Sequence, residues 1–151
     1  MRLPLETAEA IRAVIPADMP LFTRISATDW VEGGWDLEQS VVLCQELAAR
    51  GVDLIDVSSG ALVPHARIPV APGYQVPFAA AVRARAGVMT SAVGLITEPA
   101  QAEAIVASGQ ADMVMLAREM LRSPYWAIEA QKELGGGDLW PTQYGYAVKR
   151  R

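Results

Sequence analysis

Two positions in the middle of the sequence have the chemistry to hold a phosphate, Gly94 and Arg118. Each closes a short apolar run: Met89 to Val93 before Gly94, and Asp112 to Leu116 before Arg118. Both runs are too short for helices and read as buried strands. A backbone N–H with no side chain in its way and a guanidinium, on adjacent strand ends, suit a tetrahedral anion. Arg24, with Ser26, approaches the end of a third run, LFTRIS. On spacing alone each residue has two readings. Arg24 offers charge to a ligand or pairs with Asp29 or Asp56. Arg118 binds an anion or pairs with a neighbouring helix, and Gly94 approaches a ligand or simply turns the chain. The remaining reactive side chains point elsewhere. The one histidine, His65, sits in a loop and reads as solvated; the one cysteine, Cys44, lies in the helical pattern SVVLCQELAAR and reads as packed and inert. Together they give no metal site of recognisable spacing. Asp53, Asp56 and Asp112 fall at strand edges, where turn or helix-end pairing accounts for them. Trp30 and Trp35 are either a lid or anchors for their own loop.

The elements that must position these residues alternate. A helix is expected over Leu5 to Val14, ended by Pro16, and then the strand Leu21 to Ser26. After the loop ATDWVEGGWD, Asp36 and Gln39 form a capping box for a helix over Leu37 to Arg50, closed by Gly51. Val52 to Val57 is the next strand. A proline-bearing loop from Ala61 to Val76 leads to a short helix, Phe78 to Arg85, stopped by Gly87. After Met89 to Val93, Thr97 and Glu98 open a helix with Pro99 in its first turn, and Gly109 stops it. Beyond Arg118 one helix is expected to run to about Leu134, followed by a tail over 135–151. Apolar strands separated by helices imply an α/β fold with a parallel sheet. A doubly wound sheet and part of a βα barrel both fit. A complete barrel does not, since eight units need roughly 200 residues or more.

With 151 residues, 52% of them hydrophobic, the chain holds one domain with a real core. A net charge of −4 gives no electrostatic reason to expect nucleic acid or an anionic membrane. No run approaches the roughly 20 apolar residues of a membrane span, and MRLPLETAEA lacks the apolar core of a secretory signal. With one cysteine there is no internal disulfide, so the cytoplasm is the expected compartment.

The segments RISATDW, DLIDVSSG, PGYQVPFA, AVGLIT and LAREMLRSPYW, in this order, resemble the old yellow enzyme family of flavoproteins, in its NADPH dehydrogenase and xenobiotic reductase branch. The resemblance covers nearly the whole chain and only the carboxyl half of the family's barrel. It implies the C-terminal half of a TIM (β/α)8 barrel, about four parallel strands alternating with helices, as a single partial domain over 1–151. It also implies FMN as cofactor, with NADPH or NADH as reductant. By the same resemblance Arg24 faces the flavin, Arg118 binds the FMN phosphate, and the backbones of Gly94 and Ala117 approach it. Ala117 departs from the family's usual glycine. Tyr146, after Gln143 and Tyr144, stands where some relatives carry an arginine that reaches a neighbouring subunit. The family's substrate-binding His-His or His-Asn pair and its proton-donating tyrosine have no counterpart in this chain.

The function implied is the FMN-binding half of an NAD(P)H-dependent ene-reductase acting on a small α,β-unsaturated substrate. It needs an N-terminal half-barrel or a second copy. The alternative is a non-catalytic half-barrel that self-associates or binds phosphate weakly. Strands apolar on both faces, without a charged edge, lead to the expectation of an oligomeric or aggregation-prone chain.

Overall fold

In the computed structural model, which describes residues 1–137 and 140–148, four strands form one parallel sheet in the order β1-β2-β3-β4. The strands are β1 (Phe22–Ser26), β2 (Leu54–Ser58), β3 (Met89–Val93) and β4 (Met113–Met115). Between and around them lie α1 (Arg2–Arg12), α2 (Leu37–Ala48), α3 (Val76–Ala86), α4 (Pro99–Ala107), α5 (Arg118–Arg122) and α6 (Trp126–Glu133). A 3-10 turn over Thr142–Tyr144 and α7 (Gly145–Val148) complete the described chain. Of the expected tail, residues 138, 139 and 149–151 lie outside the described residues.

Each step from strand to strand goes the same way, so right-handed crossovers place the connecting helices on one face. That is the arrangement of a βα barrel and not of a doubly wound sheet. Four βα units are half of a complete barrel.

The period of two in each strand decides what meets the helices. Ile25, Ile55, Val57 and Ala92 are buried on the helix side, in one cluster with Leu43 and Leu47 of α2, Val82 of α3 and Ile105 of α4. The opposite face carries side-by-side rows set by register: Phe22, Leu54 and Met89, then Arg24, Asp56, Ser91 and Met113. This corrects the expectation of strands apolar on both faces. The second row of the open face is mostly polar, because the register brings an arginine, an aspartate and a serine into line.

The local signals hold where they are chemical. Asp36 accepts from the Gln39 N–H at 2.9 Å while the Gln39 side chain accepts from the Asp36 N–H at 3.1 Å, a complete capping box. Gly87 ends α3 in the left-handed region, as Gly51 and Gly109 do after their helices. The expected helix from Arg118 to Leu134 is instead two, α5 and α6. Pro124 has no N–H and pushes Ser123 out of the helical region, to φ −128° and ψ 89°. The break lets Trp126 donate its ring N–H to the Thr97 carbonyl at 2.7 Å, which ties α6 to the loop after β3. Helix α1 starts at Arg2, earlier than expected, with Pro4 in its first turn.

Candidate functional site

At the carboxyl ends of the strands lies a cleft of about 220 Å³ whose lining includes Arg24, Gln75, Gly94, Ala117, Arg118 and Arg122. It gathers all four residues singled out in the sequence. The carboxyl rim is the side on which parallel α/β folds bind ligands.

Gly94 follows β3 at φ +123°, a backbone angle that side chains disfavour. A Cβ there would stand 2.8 Å from Gln75 Nε2 and 2.9 Å from a Tyr74 ring carbon. Glycine is required on both counts. Leu95, next in the chain, also takes a positive φ of 49°, and the Gln101 amide donates to its carbonyl at 3.3 Å. Ala117 has a negative φ, −107°, with ψ −83°, so it does not take the left-handed angle that favours glycine.

Of the two readings of Arg24, the structure shows the ion pair, and its partner is Asp56. Its Nη1 donates to Asp56 Oδ2 at 2.8 Å, yet its side chain is 58% exposed and lines the cleft. Asp29 is not its partner: that carboxylate accepts from the Trp35 N–H at 2.9 Å and shapes the loop after β1. Arg118 is exposed and makes no side-chain hydrogen bond or ion pair with any described residue. Arg122 is held by Glu119. The cleft is therefore lined by three guanidiniums and one carboxylate, with Asp56 set behind Arg24.

Gln75 was not singled out in the sequence, although it stands inside the quoted segment PGYQV. Buried at the start of α3, its amide donates to the Val93 carbonyl at 2.8 Å and accepts from the Ser59 hydroxyl at 2.7 Å. The Trp30 ring N–H donates to the same hydroxyl at 2.9 Å. One side chain thus ties together the loop after β1, the end of β2 and the end of β3. A glutamine between two apolar stretches was the only signal.

Both tryptophans anchor their loop. Trp30 packs edge-on against Phe78 at 5.2 Å, and Trp35 donates to the Ser40 hydroxyl at 2.6 Å. Neither lines the cleft. His65 is exposed on the loop after β2 and also lies outside the cleft. Cys44 is fully buried, and burial pushes its thiol up to about 12, so it carries no thiolate at neutral pH. Asp53 accepts from the Leu21 N–H at 2.8 Å, and Asp112 from Arg83 and the Thr90 N–H, as structural pairing requires. Among the described residues no cluster of metal-ligating side chains occurs, and no helix is long and apolar enough to cross a membrane.

Fold and cleft together place an arginine-lined rim at the strand ends of part of a βα barrel. The family profile described as NADH:flavin oxidoreductase / NADH oxidase matches residues 1–136, and the chain belongs to that family. It is 54% identical over 139 residues to an NADPH dehydrogenase of Geobacillus sp. strain WCH70, covering 92% of this chain and 40% of the relative. It is 52% identical over 130 residues to an NADPH dehydrogenase of Halalkalibacterium halodurans, covering 86% of this chain and 38% of the relative. Against the NADPH dehydrogenase of Bacillus licheniformis it is 48% identical over 146 residues, 97% of this chain and 42% of the relative. The chain thus spans well under half the length of these relatives. Among solved structures it resembles histamine dehydrogenase from Rhizobium sp. 4-9, with a TM-score of 0.70 at 20% identity. That match covers 89% of this chain and 19% of the other, and shows the fold.

Proposed function

We propose that this chain supplies the phosphate-binding and flavin-facing rim of an FMN-dependent NADPH dehydrogenase that reduces activated alkenes. The observation that carries the reading is the convergence of Arg24, Gly94, Ala117 and Arg118 on one cleft. The donor set fits the group. Arg118 has no partner among the described residues, Gly94 brings bare backbone to the cleft, and Arg24 presents a guanidinium held at Nη1 by Asp56.

Arg118 and the backbone at Gly94 and Ala117 hold the phosphate. Arg24 would face the flavin ring and stabilise the negative charge that reduction brings to it. When bound, FMN supplies hydride transfer from NADPH, or from NADH, to the β-carbon of a small α,β-unsaturated substrate. Binding of the substrate carbonyl and donation of its proton fall to residues of the remaining half-barrel. His65, the one histidine here, lies outside the cleft, and no tyrosine other than Tyr74 lines it.

The exposed apolar side chains at the base of the open face favour a second reading, a non-catalytic half-barrel that associates with itself. Phe22 is 47% exposed, Met89 51% and Met113 47%. One experiment separates the two. The chain is expressed with excess FMN, passed through gel filtration, and its visible spectrum recorded. A flavin band co-eluting in near-equal ratio supports the cofactor site. A colourless protein eluting as an oligomer supports the second reading.

A further inference from the structure

We propose that Asp56, backed by Ser91, is a positioning residue that fixes the Arg24 guanidinium at the cleft and tempers its charge. The inference rests on the reading that Arg24 faces the flavin, and it concerns two residues behind the cleft. Neither Asp56 nor Ser91 lines it, so both act through Arg24.

The three side chains are aligned by the sheet itself. Register pairs Arg24 with Asp56 and Asp56 with Ser91, so three adjacent strands each contribute one residue to a single row of the open face. Both carboxylate oxygens are engaged. Asp56 Oδ2 accepts from Arg24 Nη1 at 2.8 Å, and Oδ1 accepts from the Ser91 hydroxyl at 2.7 Å. Asp56 is 6% exposed and Ser91 fully buried. With both oxygens engaged by different partners, the carboxylate has one orientation.

Of the guanidinium nitrogens only Nη1 is committed to a described residue. The other donors of the fork stay available to a ligand, and the single anchored nitrogen sets their direction. The pair therefore presents a directed dipole, positive end toward the cleft, and not a free cation. A group that gains negative charge there is stabilised less than by an unpaired arginine. Its orientation, however, is set in advance.

The test uses the 151-residue chain, its Asp56→Asn and Ser91→Ala variants, and two readouts. The first needs no flavin: nitrogen-15 NMR of the arginine side chains, in which a held guanidinium gives resolved Nη signals and a free one gives an averaged signal. Wild type is expected to show the held form for Arg24, Asp56→Asn the averaged form, and Ser91→Ala a partial loss. The second is the midpoint potential of bound FMN. Asp56→Asn is expected to shift it positive, with the ratio of reduced to oxidised FMN affinity rising about tenfold. Ser91→Ala, which keeps the charge, is expected to shift it far less. Held Arg24 signals in a folded Asp56→Asn variant overturn the proposal, as does a potential that stays put or moves negative. Should Asp56→Asn fail to fold, unchanged Arg24 signals in Ser91→Ala overturn it. A wild-type chain that binds no FMN defeats the proposed function instead, and the Arg24 signals then decide the positioning role alone.

Discussion

The two ends of the open sheet face differ in every respect that matters to function, although the same strands build both. At the carboxyl ends lie arginines, a glycine at positive φ and a buried glutamine that satisfies several loops at once. At the amino ends lies a shallow apolar depression of about 390 Å³, lined by Met19, Phe22, Leu54, Met89 and Met113. Between them runs the row of Arg24, Asp56 and Ser91. The contrast teaches that chemistry and closure are separated along the strands. The rim gathers charge and backbone donors, and the base exposes apolar side chains.

Removing the buried amide at the rim is expected to have the largest effect. Gln75→Leu leaves the Ser59 hydroxyl short of an acceptor and the Val93 carbonyl unpaired. A loss of about 3 kcal/mol in urea unfolding is expected, since each buried orphan costs roughly 1–3 kcal/mol. Unchanged stability would mean that the rim is not organised by this residue.

Arg118→Ala sharpens the contrast, because it removes the proposed phosphate contact without touching the core. FMN affinity is expected to fall roughly ten- to hundredfold, the equivalent of about 1.5–3 kcal/mol for charged hydrogen bonds. The melting temperature of the ligand-free chain should not move. Titration of FMN fluorescence quenching measures the first, and thermal denaturation the second.

Changing the base should do the reverse. Met89→Lys places a charge among the exposed apolar side chains of the open face. Sedimentation is expected to show less self-association, with FMN binding within about twofold of wild type, since surface substitutions away from the site change little. Equal association in both proteins would separate the base from any interface.

The smallest effect concerns pH. Asp112 holds β4 to its neighbours through the Arg83 guanidinium and the Thr90 N–H, and Arg83 is the main reason its carboxyl lies below the ordinary value. A lowered folded value means that the contribution is fully present above the unfolded value near pH 4 and is lost as pH falls further. Urea midpoints at pH 5 and pH 3 should therefore differ by less in Asp112→Asn than in wild type. The pair is partly exposed, so the difference is modest.

Much of this molecule was legible in order along the chain. Capping by Asp36 and Gln39, helix stops at Gly51, Gly87 and Gly109, and the strand over Met89 to Val93 all follow from local chemistry. Pro124 was visible too, yet the helical pattern on both sides of it concealed the break between α5 and α6. Among the cleft residues, Arg24, Gly94 and Arg118 stood out because a charge or a glycine at the end of an apolar run has few local uses. Gln75, Ser59 and Ser91 did not, since a polar side chain at one position says nothing about which buried group it will meet.

What the sequence determined by itself was the alternation of strand and helix, the carboxyl-end placement of Arg24, Gly94 and Arg118 and the inertness of Cys44. All of these depend on neighbours within a few residues, where spacing and propensity act. The tertiary structure alone decided that Arg24 pairs with Asp56 and not Asp29, that Arg118 has no described partner, and that Gln75 joins the ends of β2 and β3. Those outcomes hang on the register of parallel strands. Register links residues more than thirty positions apart, as it does Arg24 with Asp56, and it is set when the helices pack the sheet and not by either strand alone.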